Sequence, residues 1–160
     1  MEEMTSEEID QMFMRSASIH EAGHSVVARV TGIKVNRIEL RRHNGGPDEV
    51  TIAGRIYYDY GPRFTSPDYE HAFPFVSLAG YVAEKFDAEQ GDVSVDDLFD
   101  EVHFGLDSMS DTDRRGAGQI TYTKLWRTLY LVRKHWAEIE LQAAIARDDF
   151  EARQMPRLAA

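Results

Sequence analysis

The chain contains no cysteine among its 160 residues. That excludes a disulfide scaffold and any sulfur-ligated metal site, so a metal here would have to be held by histidine and carboxylate donors. The missing thiols also fit a reducing compartment, and a cytoplasmic location is expected. Basic residues are scarce, 18 Lys and Arg against 28 Asp and Glu, for a formal net charge of −10. With no basic stripe to neutralise phosphates, a nucleic-acid partner is not expected. Long apolar runs are missing too. No stretch reaches the roughly 18 residues of a membrane span, and the acidic start Met1-Glu2-Glu3-Met4 is unlike a signal peptide, so no membrane insertion is expected. Internal repeats and low-complexity tracts are absent as well. What remains is 42% hydrophobic residues, enough for one self-supporting core. The expected organisation is a single domain over residues 1–150 with a tail over 151–160.

Thr5 and Glu8 have the spacing of a capping box, and apolar residues then recur with helical period at Ile9, Met12, Phe13, Ala17, Ile19, Ala22, Val26, Val27 and Val30. Gly32 closes the pattern as a C′ residue. Within it stands His20-Glu21-Ala22-Gly23-His24. Residues four apart on a helix share a face, so His20 and His24 can direct two imidazoles at one point. Glu21, offset around the helix, could reach a water at that point without being a ligand. This spacing points to a Zn²⁺ site with Glu21 as a general base. A structural helix with two solvated histidines is the plainer alternative. Gly23 leaves two explanations open, close helix packing or room beside a metal.

Val35–Arg42 and Val50–Tyr58 are rich in β-branched, apolar and aromatic residues around the turn sequence Asn44-Gly45-Gly46-Pro47, which predicts an antiparallel pair. The free edge of such a strand can pair with an extended peptide, or be no more than an edge. Residues 60–67 read as a loop. Pro74 suits the first turn of a helix to about Ala88, with Phe75, Leu78, Ala79, Val82, Ala83 and Phe86 facing inward. Ser94 with Asp97, and Ser110 with Asp113, match helix caps, and helical period returns from Leu125 to about Phe150.

A catalytic zinc commonly has three protein ligands and one open position. Glu84, Asp92, His103, Asp107, Asp111 and Asp113 are all candidates for the third, and spacing does not choose among them. His43, His71 and His135 lack ligand-type spacing. Asp113 could equally be a capping carboxylate paired with Ser110.

The run Ala17-Ser18-Ile19-His20-Glu21-Ala22-Gly23-His24-Ser25-Val26-Val27-Ala28 resembles the peptidase domain of FtsH-type AAA zinc metalloproteases. Leu78-Ala79-Gly80-Tyr81-Val82-Ala83-Glu84-Lys85 is similar to that family's L-G-G-R-A-A-E-E helix, and Ser110-Asp111-Thr112-Asp113 to its S-x-S-N-D stretch. The resemblance covers about residues 15–150 and implies that Asp113 is the third zinc ligand, or Asp111 if the register slips by two. It implies an α+β fold, a mainly helical zincin-like domain with a small antiparallel sheet beside the zinc-binding helix. The family's ATPase module and membrane anchor are not expected here, Ile19 stands where the family often has Tyr, and Thr112 replaces its Asn. The implied activity is a stand-alone, ATP-independent zinc metallopeptidase acting on peptides or flexible protein segments, with a separate ATPase or self-association as open partners. The rival expectation is a non-catalytic binding or regulatory protein that keeps the fold.

Overall fold

A computed structural model describes residues 3–46, 49–59 and 66–155. Among these the protein is mainly helical, with one two-stranded antiparallel sheet.

Helix α1 (Ser6–Val30) starts where its chemistry dictates. The Thr5 hydroxyl accepts from the Glu8 amide while the Glu8 carboxylate reaches back to the Thr5 amide, a complete capping box. Thr31 is the C-cap and Gly32 follows at φ 95°, a left-handed conformation that glycine adopts without a Cβ penalty. The helix is continuous, and its second half supplies most of its core residues, with Met14 the buried residue of the first half. Ile19, Ala22, Val26, Val27 and Ala28 are fully buried, whereas Ile9, Met12 and Phe13 stay exposed although they continue the apolar period.

Strands β1 (Val35–Gly46) and β2 (Glu49–Tyr58) pair from Val35↔Tyr58 to Gly46↔Glu49. Pairing therefore runs through Asn44 to Gly46, into the segment expected as the turn, and residues 47 and 48 lie outside the described set. Period-two alternation puts Leu40 and Ile52 inward against Met14 and Phe150, a small cluster of their own.

Helix α2 (Ser66–Ala88) begins earlier than Pro74 suggested; the first-turn proline is Pro67, and Pro74 lies inside the helix. Residues 60–65 of the expected loop are outside the described set. An interior proline removes one i→i−4 hydrogen bond, a cost of about 3 kcal/mol in an exposed helix. Here burial outweighs it: Val76, Leu78, Ala79, Tyr81, Val82 and Ala83 are all nearly inaccessible, and truncating even one such leucine typically costs about 2–5 kcal/mol. Helix α1 crosses α2 at Gly23. A Cβ there would come within 2.7 Å of both the Ala79 carbonyl oxygen and the Ala83 Cβ, so Gly23 serves close helix packing.

Helix α3 (Val95–His103) is capped by Ser94 and Asp97 as expected, and Gly105 at φ 68° follows its C-cap Phe104. Helix α4 (Asp111–Ala117) is short. The remaining helical stretch divides at His135 into α5 (Tyr122–Lys134) and α6 (Trp136–Gln154). Helix α6 runs to Gln154, into the segment expected as a tail. Arg153 on that last turn donates to the Leu40 carbonyl of β1 at 3.0 Å, which ties the helix end to the sheet. The main core, from Ile19 on α1 to Ala143 on α6, joins α1, α2, α5 and α6.

Candidate metal centre

His20 and His24 share one face of α1 and turn their Nε2 atoms to within 2.9 Å of each other. What orients them comes from α2. The Nδ1–H of His24 donates to the Val76 carbonyl, and His20 Nδ1 faces the Glu84 carboxylate at 3.5 Å. Glu84 is itself held by the Ser16 hydroxyl, which donates to it at 2.9 Å. Tying both Nδ1 positions to oxygen acceptors leaves both Nε2 atoms as free donors to a shared point, the arrangement that protein metal sites use to fix ring tautomer and angle.

The third group arrives from α4. The Ser110 hydroxyl accepts from the Asp113 amide at 3.1 Å and starts that helix. The Asp113 carboxylate points the other way, with Oδ2 3.3 Å from His20 Nε2 and Oδ1 3.4 Å from His24 Nε2. Cap and ligand are thus not alternatives, because different atoms of the Ser110–Asp113 pair do each job. Helix α4 is held against α2 by a close approach: a Cβ on Gly116 would sit 2.1 Å from the Ser77 hydroxyl oxygen. Arg114 pairs with the buried Asp107 at 2.5 Å and fixes the preceding loop.

Of the carboxylates that spacing left open, the structure brings Asp113 to the two Nε2 atoms. Asp111 is exposed, and Glu84 lies on the Nδ1 side of His20, away from the centre. Asp92, His103, His43 and His71 are exposed and do not take part.

The donor set fits a divalent metal ion. His20, His24 and Asp113 offer ligand atoms that all lie within 4.8 Å of one another. Ligands about 2.0–2.1 Å from a tetrahedral ion stand roughly 3.3 Å apart, close to the carboxylate–imidazole separations of 3.3 and 3.4 Å, while the two Nε2 atoms stand closer, at 2.9 Å. Two imidazole lone pairs and a carboxylate cannot face one another at these distances without a shared cation or proton. In the metal-free protein that role falls to a proton on His20. Burial alone would lower its pKa, but the Asp113 and Glu84 carboxylates win and hold it at about 10. Burial acts to raise the pKa of Asp113, and contacts with His20 and His24 outweigh it and lower the value.

Two glycines make the centre possible, and neither was marked as a site residue by sequence spacing. A Cβ on Gly80 of α2 would stand 2.5 Å from His24 Nε2 and 2.7 Å from His20 Nε2. A Cβ on Gly54 of β2 would stand 2.1 Å from Glu21 Cγ. The available signal was a lone glycine inside each of two regular elements, a common mark of close approach.

Glu21 sits beside the centre in the same cleft, pressed against β2. Burial pushes its pKa up, with the two histidines acting in the opposite direction. The cleft, of about 380 Å³, is lined by these site residues together with Ala53, Gly54, Arg55, Ile56 and Tyr58 of β2. Side chains of a strand alternate between faces, so consecutive residues 53–56 can line one cleft only if the backbone edge itself faces it. That edge has no strand neighbour among the described residues.

Comparison with protein-family models finds none that matches the chain, and comparison with curated proteins finds no match either. No helix among the described residues is long and apolar enough to cross a membrane.

Proposed function

We propose that this chain is a zincin-like metallopeptidase domain of the kind found in FtsH-type proteases, holding Zn²⁺ through His20, His24 and Asp113 and hydrolysing peptide bonds in extended segments. The observation that carries the proposal is the joint placement, in one cleft, of a three-donor centre, a half-buried carboxylate beside it and a strand edge with no strand neighbour among the described residues. A structural site would use the three donors but would have no need of Glu21 or an open edge.

Zinc bound by these donors supplies Lewis-acid polarisation and brings the pKa of a water towards about 7. The work of the protein's own groups then divides as follows. Val76 and Glu84, the latter steadied by Ser16, hold the two imidazoles in the tautomer that keeps Nε2 unprotonated and directed at the centre. Glu21 takes the proton of the attacking water and returns it to the departing amine. Its burial raises its proton affinity towards the operating pH, as general bases require. The free edge of β2 binds the substrate backbone by strand addition, with Gly54 letting the strand pass directly against Glu21.

The test is Glu21→Gln. The amide is isosteric, cannot accept the proton and is not among the three donors. Zinc content is expected to stay at one per chain, while cleavage of casein or a peptide library falls by about 10²–10⁴-fold. Full cleavage by the variant at matched zinc content would remove Glu21 from the mechanism. Bound zinc without turnover in the unsubstituted protein would favour the non-catalytic binding role.

A further inference from the structure

The outward face of the β1–β2 hairpin departs from the acidic character of the chain. Arg37, Glu39, Arg41, Arg55 and Tyr57 occupy it at alternating positions, and Arg153 reaches it from α6. The sole carboxylate of this group is already shared: Glu39 is contacted by Arg41 at 2.5 Å, Arg37 at 3.4 Å and Arg153 at 3.7 Å. Arg55 is directly opposite Glu39 in the register, yet among the described residues it forms no ion pair. Its one aromatic contact is with the Tyr57 ring, whose centroid is 5.3 Å from the guanidinium carbon, and Arg37 lies over the same ring at 4.2 Å. The face thus gathers four guanidinium groups around one carboxylate, in a chain whose formal net charge is −10.

Arg55 is also the member of this patch that lines the cleft, and its neighbour Gly54 is the residue against Glu21. A peptide adding as a third strand to the free edge of β2 would place every second side chain on the outward face. The residue across from Arg55 would have its Cβ about 4.5–5.5 Å from that of Arg55. We infer that the cleft selects extended peptides carrying Asp or Glu at the outward-facing position opposite Arg55, close to the bond presented to Glu21. This rests on the strand-addition reading proposed above. The preference is local: the remainder of the protein repels an acidic peptide, so selection in its favour has to come from the hairpin face.

An opposite-charge cross-strand pair contributes about 0.2–1 kcal/mol and a like-charge pair costs a similar amount. This corresponds to roughly a 1.4–5-fold preference for Glu over Gln and about 2–30-fold for Glu over Lys. The experiment uses the full zinc-loaded chain and quenched peptides of one sequence in which a single Glu, Gln or Lys is moved through the positions flanking the cleaved bond. The same peptides, fluorescently labelled, are titrated by anisotropy against zinc-loaded Glu21→Gln, which reads binding without turnover. Arg55→Glu and Arg55→Gln are introduced into both proteins; the residue is exposed, and melting curves check that the variants stay folded.

The expected result is that Glu is preferred over Lys at alternate positions only, chiefly through KM and in the binding titration alike. Arg55→Glu inverts the order and Arg55→Gln flattens it. Equal cleavage and binding of Glu and Lys peptides would overturn the inference and leave the peptidase reading standing. A preference that Arg55→Glu does not move would overturn it as well. Binding with the Arg55-dependent order but no turnover by the unsubstituted protein would support charge selection and refute the peptidase reading. No binding of any peptide would overturn the inference outright.

Discussion

Gly80→Ala is the sharpest perturbation of the centre, because it adds one carbon to the place where both imidazoles converge. The new Cβ would stand 2.5 Å from His24 Nε2 and 2.7 Å from His20 Nε2, against 3.4 Å for ordinary contact, so the rings must retreat by about 0.9 and 0.7 Å. His24 is pinned at Nδ1 by the Val76 carbonyl and His20 is backed by Glu84. Coordination tolerates only about 0.2 Å, so a shift of this size removes a ligand bond. Changes to groups that merely support metal ligands cost about 10–100-fold in affinity. Displacing the ligands themselves should cost at least about 100-fold, or roughly 2.8 kcal/mol. The metal-free fold should suffer much less. Overpacking costs about 1–3 kcal/mol, and replacing a mid-helix glycine by alanine returns about 0.5–1 kcal/mol. Competition with a chromophoric chelator gives the zinc affinity, and melting curves with and without zinc give the stability. The variant should melt near the unsubstituted protein when both are metal-free and lose most of the zinc-dependent increase in Tm. Zinc binding within threefold of the unsubstituted protein would refute the placement of Gly80 against the centre.

Gly54→Ala should behave in the opposite way, because its Cβ meets Glu21 rather than a ligand: zinc stays bound and peptide cleavage falls by about 10²-fold or more. Metal analysis alongside a peptide assay separates the two glycines. Asp113→Ala should lower zinc affinity by at least about 100-fold while Asp111→Ala leaves it near the original value, since Asp113 faces the two Nε2 atoms and Asp111 is exposed; chelator competition on both variants decides it. Zinc binding should release close to one proton per ion at neutral pH, because metal-free His20 stays protonated up to about 10 and must lose that proton to coordinate. Affinity should accordingly rise about tenfold per pH unit from neutrality towards the His20 pKa. The metal-free fold runs the other way. The raised pKa contributes stability that is fully present below the unfolded value of about 6.5 and is lost as pH rises through about 10. Calorimetry in buffers of different protonation enthalpy counts the proton, and chelated-protein melts across pH 6–10 check the second trend.

The fold was legible wherever the physics is local. Thr5 with Glu8 and Ser94 with Asp97 form the caps their spacing predicts, because a capping box closes within one turn of helix. The hairpin followed from its β-branched and aromatic residues around a turn sequence, although the pairing extends into the segment expected as the turn. Local signals failed where burial overrode them. Pro74 reads as a helix start and lies inside α2, because the inward face of that helix stabilises it by more than the lost hydrogen bond costs. Ile9, Met12 and Phe13 carry the apolar period of α1 past the point where any core receives it.

For the site, the sequence alone determined that His20 and His24 share a helix face with Glu21 beside them, since i and i+4 are neighbours on any α-helix. It also supplied Asp113 as a candidate, and left Asp111 and Glu84 open beside it. The choice among the three belongs to the packing of α4 on α2, where Gly116 lets the helices approach and Ser110 sets the first turn so that the carboxylate faces the imidazoles. The roles of Gly80, Gly54 and Arg55 are decided the same way. Each depends on which element passes within a few ångströms of another, a distance that spacing along one element does not encode and that only the closed core sets.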